Sequence, residues 1–100
     1  MCKFTVNKNY QEAYRIVKEN LKECEGVGPA GQTKLNAELH TDIKQGVITI
    51  QFLGAFDARV LYHYEIKALS AETSEYTSYS QFKGEPDCTE FKRFIEEYED

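Results

Sequence analysis

Between residues 33 and 83 apolar and polar side chains alternate in successive bursts, while on either side the apolar positions fall at spacings of three and four. A period of two puts neighbouring residues on opposite faces of a strand, and a period near 3.6 gathers them on one stripe of a helix. The pattern predicts an α+β domain: an antiparallel β-meander of four to five strands, with an N-terminal and a C-terminal helix packed on one face, in the order β-α-β-β-β-β-α. At 100 residues the chain is expected to form a single domain with one modest core.

Lys3 to Val6 alternates and suits a short edge strand. Asn9, with Glu12 three residues on, reads as a capping box, and Tyr10, Ala13, Tyr14, Val17, Leu21 and Cys24 share one face of a helix of about four turns. The stretch from Gly26 to Gly31 formally contains G-x-G-x-x-G. A dinucleotide fingerprint follows a strand and opens a helix, whereas this one follows a helix and leads into a strand, so it is expected to be a flexible loop.

Turn chemistry sets the expected register. A two-residue Gln45-Gly46 hairpin loop pairs Ile43 with Ile48, Thr41 with Ile50 and Leu39 with Phe52. Pairing Phe52 with Val60 then aligns Ile50 with Tyr62 and Ile48 with Tyr64. A loop at Ser70-Ala71-Glu72 sets Ile66 against Tyr76, Tyr64 against Ser78 and Tyr62 against Ser80. The apolar face becomes Leu35, Ala37, Leu39, Ile43, Ile48, Ile50, Phe52, Val60, Tyr62, Tyr64, Ile66, Tyr76 and Phe82. A last helix begins at Asp87 after Pro86, capped by Glu90, with Phe91, Phe94, Ile95 and Tyr98 as its stripe. In outline, helix, meander and helix resemble a pared-down helix-grip architecture, a likeness of shape that identifies no family.

A formal charge of -5 argues against a nucleic-acid surface, which needs a basic face to displace counterions. No apolar stretch approaches the roughly 20 residues of a membrane-spanning helix, so the chain as written reads as soluble and cytoplasmic. Three cysteines complicate the location. Cys24 and Cys88 would form a disulfide if the helix ends meet, and that would indicate an oxidising compartment. Cys2 would then stand where a bacterial envelope lipoprotein carries its lipid, if Met1 replaces a removed signal peptide, placing the domain in the periplasm or on a membrane. For Cys24 and Cys88, on the helix stripes, a small buried hydrophobe is the ordinary alternative.

The expected register aligns Asp42, Thr49, His63 and Tyr79 across the polar face, a candidate surface for an interaction partner. A solvated sheet face accounts for the same alternation. On the inner face Tyr62, Tyr64, Ser78 and Ser80 would border a hollow for a small ligand, or simply hydrogen-bond one another. Neither histidine has a cysteine neighbour, no Gly-x-Ser-x-Gly elbow occurs, and no metal-ligand spacing or cofactor motif is apparent. The sequence supports a non-catalytic binding or interaction module, with a small-ligand carrier and a hydrolytic or metal-assisted enzyme built on the histidines as the alternatives.

Overall fold

The computed structural model describes residues 2–22, 25–28, 31–55, 57–80 and 88–98, without the side chain of Ser80. Its elements are β1 (Cys2–Val6), α1 (Tyr10–Leu21), β2 (Gly26–Gly28), β3 (Gly31–His40), β4 (Gln45–Gly54), β5 (Ala58–Ala68), β6 (Ser74–Ser80) and α2 (Cys88–Glu96). The strands form one sheet in the order β1-β6-β5-β4-β3-β2, with every described pairing antiparallel. The architecture is the α+β arrangement expected, with six strands rather than four or five.

That order explains the position of α1. β1 and β2 are consecutive strands on opposite edges, so the chain must cross five strand spacings, about 24 Å. A helix of 12 residues covers about 18 Å of that path. α1 therefore crosses the sheet from edge to edge and packs on β3, β4, β5 and β6. Asn9 caps it, its side-chain carbonyl accepting the Gln11 N–H at 2.9 Å, while its amide donates to the Ala71 carbonyl at 2.8 Å. Tyr10, Ala13, Tyr14, Val17 and Leu21 are buried as the spacing predicts, and so is Ile16. Ile16 sits at the flank of the predicted stripe, and a helix lying on a broad sheet buries a wider arc than a strict three-four stripe. Cys24 lies outside the described residues.

α2 lies on the same face, toward β1. Phe4 stacks on Tyr76 with ring centroids 4.6 Å apart, and Tyr76 meets Phe91 of α2 at 5.3 Å. Ile95 is fully buried against this aromatic group. The helix end is tied back to α1's entry, where Glu96 Oε2 accepts the Asn7 N–H at 3.0 Å. The Pro86-Asp87 start signal and Phe82 fall outside the described residues.

The β3–β4 register differs from the expected one. Residues 41–44 form the turn, with Lys44 in the left-handed region at φ 53°, and His40 pairs with Gln45. Ile48 consequently faces Ala37, Ile50 faces Leu35 and Phe52 faces Thr33. Ile43 and Asp42 leave the sheet, and Ile43 is 58% exposed on the turn. The displacement is by an even number of residues, so Leu35, Ala37, Ile48 and Ile50 keep the face predicted for them.

Beyond β4 the expected pairs Ile48–Tyr64, Ile50–Tyr62, Ile66–Tyr76, Tyr64–Ser78 and Tyr62–Ser80 are present. Phe52, however, faces Arg59 rather than Val60. A bulge after Ile50 leaves Leu61 unpaired, sets Val60 opposite Gln51 and turns Val60 outward, 45% exposed. Arg59 takes its place opposite Phe52 and remains exposed, its guanidinium 5.7 Å from the Phe52 ring centroid. The described ends of the glycine-rich segment are strand rather than loop. Gly26–Gly28 pairs with residues 31–33 as β2, and Gly31 adopts a φ of 153° where a Cβ would meet the Leu53 carbonyl.

Candidate functional site

Helices cover one side of the sheet; the other side carries the exposed polar chemistry. Thr49, His63 and Tyr79 lie in one row across β4, β5 and β6, as the alternation predicts. Thr49 Oγ1 is 3.3 Å from His63 Nδ1, and the His63 and Tyr79 rings lie 6.0 Å apart. On β3 the row continues with Asn36, whose amide donates to Gln51 Oε1 at 2.9 Å. Asp42 does not belong to the row, because the four-residue turn carries it past the end of the sheet.

The carboxylate partner of His63 is Glu65, with His63 Nε2 and Glu65 Oε1 3.2 Å apart. A search for cross-strand neighbours passes over this residue, since Glu65 is two positions along the same strand and so on the same face. His40 repeats the arrangement with Glu38 at 3.1 Å. Hydroxyl, imidazole and carboxylate thus stand in a line, Thr49 to His63 to Glu65, on a half-exposed surface. Their surroundings are those of an open sheet, where neighbouring backbone N–H groups are drawn into the ladder rather than aimed at a reacting oxyanion.

Tyr62, Tyr64 and Tyr76 lie side by side on the inner face, next to Ser78. Ser78 is buried and hydrogen-bonds the Tyr76 hydroxyl. Tyr62 and Tyr64 stack at 6.2 Å, and Tyr64 meets Tyr76 at 6.1 Å. Burial pushes the Tyr76 phenol well above its ordinary value of 10.0, an effect the Ser78 hydrogen bond opposes and Tyr64 reinforces. Aromatic rings thus line this part of the inner face. A surface depression of about 420 Å³ lies elsewhere, bordered by Asn7, Lys8, Asn9, Glu12, Glu72 and Glu96, where α1's entry meets α2's end.

Cys88 is bonded to Cys2, not to Cys24. The Cα atoms of the pair are 5.7 Å apart, and the bridge joins the first residue of β1 to the first residue of α2. Cys2 is only 3% exposed. A buried half-cystine has neither a free thiol nor room for a lipid, which removes Cys2 as an anchor in this form of the chain. The first three residues of β1 supplied the missed signal: Cys2 lies two residues from Phe4, so strand alternation points both inward toward Tyr76 and α2. Among the described residues, no group of three or more His, Cys, Asp and Glu side chains is arranged to hold a metal ion, and no helix is long and apolar enough to cross a membrane. Comparison with protein-family models, with curated proteins and with solved structures finds no match to this chain.

Proposed function

We propose that this domain is a non-catalytic interaction module that engages a protein partner through the open face of its sheet. The observation that carries the reading is the ordered polar row Thr49, His63 and Glu65 beside the exposed ring of Tyr79, on a face opposite both helices. A pre-formed row of side chains loses little freedom on binding, and tyrosine is among the residues that contribute most to protein interfaces. Val60 and Leu53, exposed at one end of the same face, add apolar area next to this polar group. The Cys2–Cys88 bridge supports work in an oxidising compartment.

Site-directed photo-crosslinking in native extract tests the reading. A photoreactive aromatic in place of Tyr79 is expected to yield one discrete adduct that His63→Ala diminishes. The same group at Asn20, exposed on α1, should not yield it. Equal labelling from both positions would overturn the assignment.

The line from Thr49 through His63 to Glu65 favours a second reading, a weak esterase with Thr49 as nucleophile. It requires turnover of activated esters that Thr49→Ala abolishes. Identical rates with and without Thr49 eliminate it.

A further inference from the structure

We propose that the free edge of β3 is a self-pairing surface through which two copies of the chain join their sheets about a two-fold axis. β3 is the second strand from one edge, but its neighbour β2 has three residues and covers β3 only over residues 31–33. Among the described residues, no strand pairs with the outer edge of residues 34–40. Natural sheets protect such an edge with proline, a bulge, brevity, a covering loop or helix, or charged side chains. Residues 34–40 carry charge only outward, at Lys34 and Glu38, and otherwise the stretch is regular, its pairing with β4 is continuous, and its inward positions are Leu35, Ala37 and Leu39. The opposite edge strand, β1, is five residues long and carries α2 beside it.

The sequence of this edge complements itself. An antiparallel two-fold pairing centred on Ala37 uses residues 34–40 of each copy and stops short of β2. It sets Leu35 against Leu39 of the second copy on the inner face, giving Leu39, 39% exposed in the single chain, an apolar neighbour. On the outer face it sets Glu38 against Asn36 of the second copy, with Lys34 of the second copy on one diagonal and Glu38 of the second copy on the other, so that the two acid–base contacts outnumber the single acid–acid one. Symmetry repeats each contact. Centring on Glu38 instead would oppose two carboxylates, and centring on Asn36 would drive Leu39 into the position that Gly26 occupies beside Thr33. The occupant that fits by parity, length and charge is therefore a second copy of this chain, added as a strand would be. This surface is distinct from the open face assigned to a partner, and the two assignments stand or fall separately.

Sedimentation velocity over a concentration series tests the pairing. The wild-type mass is expected to rise from 11.6 kDa toward twice that value as concentration increases. Lys34→Glu and Glu38→Lys each place like charges together twice per dimer, and each is expected to weaken association by about tenfold or more. Mixing the two single variants in equal amounts should restore association, because one chain then offers acid at both positions and the other base. The double swap K34E/E38K should also associate. Both residues are exposed, so the variants keep the fold. A wild-type chain that remains monomeric at every concentration overturns the proposal, as does a dimer indifferent to the single swaps.

Discussion

Gly46 lies directly beneath the ring of Tyr14: a Cβ built on the glycine would come within 2.9 Å of Tyr14 Cγ and still closer to the ring edge. The glycine is buried in β4, and its φ is not left-handed. It is present because helix and sheet approach too closely there for a side chain, not because the backbone turns. Gly46→Ala is therefore expected to destabilise the fold by about 1–3 kcal/mol through overpacking, measured by urea denaturation. In a Tyr14→Ala background the same substitution should cost much less.

A turn residue of the β3–β4 hairpin and a core residue of α1 separate in the same experiment. Ile43→Ser on the exposed turn should change stability by no more than about 0.5 kcal/mol. Leu21→Ala, which empties a buried site on α1, should cost about 2–5 kcal/mol. A large loss at Ile43 would favour the tight Gln45-Gly46 turn over the one observed.

Eliminating the bridge has a defined expectation as well. The Cys2–Cys88 disulfide spans 86 residues, and a cross-link of that reach is worth about 2–5 kcal/mol through the unfolded chain. The Cys2→Ser/Cys88→Ser double variant should show that loss in denaturant. It should match the wild-type protein treated with reductant, since α2 is then held in both by Ile95, its aromatic neighbours and the Glu96–Asn7 hydrogen bond.

Alkaline pH is expected to unfold the protein through its buried phenols. Tyr76 is raised above 10.0 by burial, and Tyr14 by burial and then by the Glu38 carboxylate. Above the unfolded value of about 10 the unfolded chain releases protons that the folded chain retains, so stability, complete below that pH, falls as pH rises through the folded values. Stability measured upward from about pH 9 should decline from about pH 10. Tyr76→Phe should flatten the decline, and the phenolate absorbance contributed by Tyr14 and Tyr76 should appear only with unfolding.

Alternation along the strands identified most of the side chains that face inward, even where pairing was misplaced, and failed at Val60 and Ile43, which a bulge and a turn redirect. Ile48 and Ile50 are buried whether their partners are Ile43 and Thr41 or Ala37 and Leu35, because only parity matters to a face. Register depends on finer signals. Glycine in Gln45-Gly46 looked like turn chemistry, but its cause was Tyr14, distant in sequence. The bulge at Leu61 has no glycine or proline to announce it. The row of Thr49, His63 and Tyr79 was legible because it depends on the stretch of β4, β5 and β6 before the bulge, where the register was correctly inferred. Its acid was not, since Glu65 pairs along the strand rather than across. The disulfide required the β1–β6 pairing, a contact between the beginning of the chain and its last strand that local pattern does not encode.

The Cys2–Cys88 bridge also gives the domain a mechanical character. A pull applied to the chain on the outer sides of these two residues is carried by the sulfur–sulfur bond, and the 85 residues between them feel almost none of it. The sheet and α1 lie within that protected stretch, while only the remainder of α2 is drawn out. Under tension the domain behaves as a bead threaded at one point, retaining its β-sheet and the face it presents while the load passes beside it.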